Sequence, residues 1–258
     1  MQVRAKKQLG QHFLTDENIA GKIAQAIIDT RIQNVLEVGP GMGVLTKYLH
    51  EHIAQFKAIE IDKESVSYLS EYYPDLEVIS GDFLKIDLSS MFEGEFAVVG
   101  NFPYNISSQI FFRVLENRNR TTSVVGMIQK EVAERIKEKE GNKTYGILSV
   151  LLQTFFDVEY LFTVHENVFS PPPKVKSAVI KLTRNQRAEL PCNEALYFRL
   201  IKESFGQRRK MLRSSLKTYL TLLPNCKFST QRPEQLSIDN FIELTLQVEQ
   251  ALNEKKAH

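Results

Sequence analysis

Four consecutive residues, Asn101-Phe102-Pro103-Tyr104, combine groups suited to orienting an amine. The Asn101 side-chain oxygen and the Pro103 backbone carbonyl could each accept an N–H, and Tyr104 could stack on a flat ring. The exocyclic amine of an adenine is a poor nucleophile because its lone pair is delocalised into the ring. A catalyst must therefore hold it in line with an electrophilic carbon and favour a more pyramidal nitrogen. The π-face of Tyr104 would favour the positive charge that develops on that nitrogen once the base is extruded. Alkylation makes the nitrogen strongly acidic, so its proton can leave to solvent and no His or Cys base is required. Read alone, such a tetrapeptide is more often a turn. Its position at the end of a strand in a nucleotide-type fold favours the chemical reading.

Three other features sit at strand ends. The segment VLEVG runs into Gly39-Pro40-Gly41-Met42-Gly43, where glycines let the backbone turn tightly and approach a ligand. A dinucleotide fingerprint would place its third glycine three residues after the second. Here the spacing is two and Glu37 precedes the turn, which is the methyltransferase version of the pattern. The next strand ends at Glu60-Ile61, about 20 residues after the first glycine, where a carboxylate can accept from both hydroxyls of a ribose. The third ends at Gly81-Asp82-Phe83. A carboxylate there can accept from an adenine amine while Phe83 supplies an apolar face. Isolated acids at strand ends are usually solvated loop residues, but features at three successive strand ends point to a nucleoside cofactor, S-adenosylmethionine. Glu37 is expected to bond loop amides rather than the cofactor.

The elements that must position these residues alternate. Thr15 or Asp16 offers an N-cap for a helix carrying Ile19, Ile23, Ala26 and Ile27. Short β-rich runs then alternate with helical stretches: VLEVG, Val44 to His52, FKAIEI, Lys63 to Tyr72, LEVIS, FAVVG, Ser107 to Leu115 and SVVGMIQ. This is the signature of a parallel sheet with crossover helices. VEYLFTV and SAVIKLT read as a closing antiparallel pair separated by Pro171-Pro172-Pro173. Beyond Arg184 only helical stretches follow, about Asn193 to Phe205, Arg208 to Leu220 and Ile238 to Leu252. The expected fold is α/β, a mostly parallel Rossmann-like sheet with helices on both faces over residues 1–184. A small all-α domain is expected over 185–258.

The 258 residues carry 33 Lys and Arg against 31 Asp and Glu, a net charge of +2 too small to mark a nucleic-acid binder by itself. The distribution is uneven. Lys174, Lys176, Lys181, Arg184 and Arg187 lie in a stretch without acids, and Arg208, Arg209, Lys210, Arg213 and Lys217 crowd one predicted helical segment. These read as phosphate contacts, which position RNA without reading its sequence. Cys192 and Cys226 match no metal-ligand spacing, no metal site is expected, and no secretory leader is expected. A reduced, cytoplasmic protein is expected. No apolar run approaches the roughly 18 residues that span a bilayer, so no membrane partner is expected.

The motifs together resemble the ribosomal RNA adenine dimethyltransferases over nearly the whole chain: KKQLGQHFL (6–14), EVGPGMG (37–43), EID (60–62), GDF (81–83), NFPY (101–104), QKEVAER (129–135) and FSPPPKVKS (169–177). The resemblance implies a class I methyltransferase fold. It implies that Gln11, His12 and Leu14 close over the methionine end of the cofactor, that Gly39, Glu60 and Asp82, with Gly41, Ile61 and Phe83, surround the nucleoside, and that Asn101 faces the target. Phe169 with its prolines would shape the target pocket. The implied substrate is a pair of adjacent adenines near the 3′ end of small-subunit ribosomal RNA, presented on a pre-ribosomal particle to a monomeric enzyme. Phe102 departs from the Leu or Ile usual at that position of the motif. The rival readings are a large-subunit methylase of the macrolide-resistance type, and a non-enzymatic assembly factor on the same fold.

Overall fold

The computed structural model describes residues 3–187 and 189–257. It divides into two compact units, Met1–Ala133 with Phe156–Arg184, and Glu134–Phe155 with Asn185–His258. The chain crosses between them after Ala133, Phe155 and Arg184. The segment 134–155, expected in the first domain, clusters with the helical unit.

The first unit begins with β1 (Phe13–Leu14) and α1 (Glu17–Ile28). There follow β2 (Asn34–Val38), α2 (Thr46–His50), β3 (Gln55–Glu60), α3 (Lys63–Tyr72), β4 (Glu77–Ser80), β5 (Phe96–Asn101), α4 (Ser107–Glu116) and β6 (Thr121–Gln129). After α5 (Lys130–Lys137) and α6 (Ile147–Phe155), the chain returns through β7 (Phe156–Val164), β8 (Phe169–Ser170) and β9 (Ser177–Arg184). Seven strands form one sheet in the order β4-β3-β2-β5-β6-β9-β7. Neighbours are parallel from β4 to β6, whereas β9 is antiparallel to both β6 and β7. The remaining pair, β1 and β8, joins Leu14 to Phe169 and Phe13 to Ser170.

Local chemistry accounts for the frame. The Asp16 carboxylate caps α1 by accepting from the Ile19 N–H at 3.0 Å, and the stripe Ala20, Ile23, Ala24 and Ile27 is buried. That stripe shares a cluster with Val35, Ala97, Val125 and Met127. The alternate residues Leu36, Val98 and Val124 point to the other face and are buried too, so both faces of the sheet are covered. Phe102, just past β5, is fully buried. Its room comes from two glycines: a Cβ on Gly126 would lie 2.4 Å from the ring and one on Gly100 3.0 Å from it. The larger residue at this position is thus taken up by the core.

The second unit is helical. It holds α6, α7 (Glu194–Gly206), α8 (Leu212–Ser215), α9 (Lys217–Leu220) and α10 (Ile238–Ala257). Phe205 packs between Tyr145 and Phe241, and the buried Tyr197 hydroxyl pairs with Thr154 Oγ1 at 2.7 Å. The single helix expected from Arg208 to Leu220 does not form. Arg208, Arg209 and Lys210 lie in a turn after α7, Met211 is extended, and Leu216 interrupts the rest at φ −112°, ψ 30°. Leu212, Leu216 and Leu220 are buried at a spacing of four, so the apolar repeat that suggests a helix is real but starts only at Leu212. No described helix is long and apolar enough to cross a membrane.

Candidate active site

The carboxyl ends of β2, β3, β4 and β5 open onto a cleft. Gln11, His12, Gly39, Gly41, Glu60, Ile61, Asp82, Phe83, Asn101, Pro103 and Tyr104 line it, so residues up to 93 positions apart in the chain meet in one place. Gly39 and Gly41 sit at φ 69° and 58°, a left-handed backbone that an L side chain adopts only under strain. A Cβ on Gly41 would also come within 2.9 Å of the Phe13 ring.

Glu60 is 3% exposed and ends β3. Its carboxylate accepts from the Asp62 N–H at 2.8 Å and the Gly41 N–H at 3.1 Å, one through each oxygen. Burial pushes its pKa up, opposed by these two backbone donors. Each oxygen keeps a lone pair for a ligand. Asp82 accepts from the Leu84 N–H at 3.0 Å and leaves its second oxygen 3.6 Å from the exposed Lys85 ammonium. Phe83 is buried beside it.

At the other wall, Asn101 ends β5 and its Nδ2 donates to the His12 carbonyl at 2.8 Å. Only the amide nitrogen can serve a carbonyl, so this bond fixes the orientation of the carboxamide and leaves Oδ1 as its acceptor. The Pro103 carbonyl accepts from the Ile106 N–H at 3.2 Å and retains one lone pair. The Tyr104 hydroxyl is hydrogen-bonded to Ser177 Oγ, and its ring stacks on His12 at 5.3 Å between centroids. Burial raises the Tyr104 pKa, opposed by the Ser177 bond, so the phenol stays neutral. His12 Nδ1 lies 2.8 Å from the Pro171 carbonyl, which makes Nδ1 the donor and leaves Nε2 free to accept when the ring is neutral.

Several expectations change. Leu14 does not line this cleft; it is buried in the core and borders a neighbouring cleft that also touches Gly39 and Asn101. Phe169 is 4% exposed in the same core, paired with Leu14, so its ring offers no open face to a base. Glu37, expected to bond loop amides, accepts from the Thr46 hydroxyl at 2.6 Å, and burial pushes its pKa up to about 8. Lys174 and Lys176 are exposed, as are Arg209, Lys210 and Arg213, whereas Arg208 is half-buried. Sequence reasoning passed over Ser177 and Asn105, although both stand inside or beside quoted motifs. It also passed over Lys6 and Asp62, because nothing local shows that they meet. Among the described residues no cluster of His, Cys, Asp or Glu could hold a metal ion.

Counting only the strands of the large sheet in chain order, their arrangement is 3-2-1-4-5-7-6 with the seventh antiparallel. With a glycine turn after the first strand and Asn-x-Pro-Tyr after the fourth, this defines a class I methyltransferase. The sequence pattern of the ribosomal RNA adenine dimethylases matches residues 2–254, and the chain belongs to that family. It is 57% identical over 253 residues to the ribosomal RNA small subunit methyltransferase A of Flavobacterium johnsoniae, covering 96% of this chain and 97% of that one. Among solved structures, a dimethyladenosine transferase from Plasmodium falciparum superposes with a TM-score of 0.78 at 27% identity, covering 93% of this chain and 98% of that one. The 23S rRNA methyltransferase ErmE superposes with a TM-score of 0.64, also at 27% identity, covering 90% and 99%.

Proposed function

We propose that the chain transfers methyl groups from S-adenosylmethionine to the N6 amines of two adjacent adenines near the 3′ end of small-subunit ribosomal RNA. It acts as a cytoplasmic monomer on a pre-ribosomal particle. The observation that carries this reading is the Asn101 carboxamide, whose nitrogen is turned to the His12 carbonyl and whose oxygen is thereby kept as acceptor for a substrate N–H.

The cleft suits that cofactor. No Lys or Arg is among the residues lining it, so the phosphates of a dinucleotide would meet no counter-charge there. Two carboxylates, Glu60 and Asp82, suit ribose hydroxyls, an adenine amine and a cationic sulfonium. When bound, S-adenosylmethionine supplies an electrophilic methyl carbon. Glu60 accepts from the ribose and Asp82 from the cofactor's adenine, with Phe83 and Ile61 as apolar contacts. The turn at Gly39 and Gly41 permits close backbone approach, and Gln11 and His12 face the methionine end.

On the acceptor side, Asn101 Oδ1 and the free lone pair of the Pro103 carbonyl accept the two N–H groups of the target amine. Tyr104 stacks on the extruded base. The proton released on methylation passes to solvent. Lys174, Lys176, Arg208, Arg209, Lys210 and Arg213 contact phosphates, and RNA shape selects the adenine.

The choice of the small subunit rests on the greater likeness, 57% against 27%, to the relative named for it than to the large-subunit enzyme. Incorporation of labelled methyl groups into isolated small and large subunits tests it. The expected label is confined to the small subunit. Label in the large subunit would identify the macrolide-resistance type, and none in either, with RNA binding intact, an assembly factor.

A further inference from the structure

The Lys6–Phe13 segment forms one wall of the cleft, and its beginning is anchored where the first residue of KKQLGQHFL meets the last residue of EID. The Lys6 ammonium pairs with Asp62 Oδ1 and lies 3.1 Å from the Glu64 carboxylate. The Lys6 N–H donates to Gln11 Oε1 at 2.8 Å, and Gln11 Nε2 approaches Asp62 Oδ2 at 3.5 Å. Asp62 is a hub. Its side chain is 2% exposed, it caps α3 through the Glu64 N–H, and its own N–H holds Glu60 at 2.8 Å. Burial, the largest single influence, would raise its pKa, but the Lys6 ammonium, the Glu64 N–H and the Gln11 amide together outweigh it and hold the carboxyl below its ordinary value. Further along, Gly10 turns in the left-handed region so closely that a Cβ would lie 2.6 Å from Asn105 Oδ1. The segment thus spans from the end of β3 to the loop after β5, across the mouth of the cleft.

We infer that Lys6 and Asp62 are positioning residues that latch this segment over the cofactor cleft and couple its closure to the orientation of Glu60. The inference rests on the cofactor reading above. The two ends of the segment are held differently. Its far end, Phe13 to Thr15, is fixed by pairing with β8 and by the Thr15 N–H on the Val168 carbonyl at 2.8 Å. Loss of the Lys6 anchor therefore frees the part beside Glu60 while His12 still holds Asn101. Cofactor capture suffers and the chemical step does not.

The test compares wild type with Lys6→Ala, Lys6→Arg, Asp62→Asn and the double variant Lys6→Ala/Asp62→Asn. Asp62→Asn keeps an oxygen to cap α3, and Lys6→Ala alters a half-buried side chain outside the core, so the two differ in any risk to folding. The expected result is a KM and calorimetric Kd for S-adenosylmethionine raised roughly tenfold in both single variants. The double variant should be no worse than either, kcat should stay within about threefold, and Lys6→Arg should be near wild type. Tryptic cleavage after Lys7 should accelerate in Lys6→Ala and Asp62→Asn, and added cofactor should slow it in wild type. Unchanged cofactor affinity in Lys6→Ala, or strictly additive losses in the double variant, would overturn the latch while leaving the proposed function standing. Failure of wild type itself to bind S-adenosylmethionine would overturn both.

Discussion

The Asn101 side chain is tied to the His12 backbone across 89 residues of chain, Nδ2 to carbonyl oxygen at 2.8 Å. This bond joins the end of β5 to the N-terminal segment and makes an ordinary carboxamide directional. Its consequence is electrostatic preorganisation: the acceptor is aimed before substrate arrives, so little reorganisation is required in the transition state.

Replacement of Asn101 by Ala should lower kcat by at least about 100-fold while cofactor affinity stays within a few-fold, because a contact realised in the transition state is lost. Single-turnover kinetics with calorimetry separate the two quantities. Turnover within tenfold of wild type would remove Asn101 from the reaction.

Glu60→Ala should act in the opposite way. The variant loses a charge-assisted acceptor worth roughly 1.5 to 3 kcal/mol and leaves the Gly41 and Asp62 N–H groups without their partner. Cofactor binding should weaken about ten- to a hundredfold by calorimetry, with kcat at saturation less affected. Unchanged affinity would show that the ribose is held elsewhere.

Glu37 makes stability depend on pH. Burial raises its pKa from 4.5 in the free side chain to about 8, opposed by the Thr46 hydrogen bond and reinforced by the charge of Glu60. The folded state therefore binds the proton more tightly than the unfolded state. The resulting stabilisation is complete below the unfolded value, declines as pH rises above it and is lost as pH passes about 8. Glu37→Gln keeps an acceptor for Thr46 and cannot ionise. Its melting temperature should fall less steeply than wild type between about pH 5 and pH 8, and should exceed wild type near about pH 9. Parallel curves for the two proteins would show that Glu37 does not ionise across this range.

Phe102 and Gly126 should be interdependent. Gly126→Ala places a methyl 2.4 Å from the Phe102 ring and should destabilise by about 1 to 3 kcal/mol. Adding Phe102→Leu should recover much of that loss. Thermal denaturation of the single and double variants measures the coupling, and simple additivity would contradict it.

The basic turn after α7 gives a fifth kind of variant. Replacing Arg208, Arg209 and Lys210 together by Gln should weaken RNA binding and flatten its dependence on salt, because fewer counterions are released. Cofactor affinity should be unchanged. Titrations at several salt concentrations that match wild type would make this turn a merely solvated one.

The legible parts of the chain were those where local pattern and fold agree. Strand-ending glycines and acids marked the ends of β2, β3 and β4, and the alternation around them predicted the sheet. The helix α6 went unread because Leu148 to Leu152, Thr154 and Phe155 are all buried, leaving no polar face to reveal a helical period. The β1–β8 pair escaped because each strand has two residues and lies far from its partner in the chain. For Phe169, the motif named the residue but its burial depends on β1, which the motif does not contain. The Lys6–Asp62 contact is of the same kind: charges 56 residues apart leave no periodic trace.

Mass spectrometry of adenosines from small subunits incubated with the protein and S-adenosylmethionine reads substrate, product and multiplicity at once. The account predicts N6,N6-dimethyladenosine at two adjacent positions near the 3′ end of the small-subunit RNA, and its absence with the Asn101→Ala variant. Unmodified adenosines with wild-type protein, or methyl groups at any atom other than N6, would contradict it.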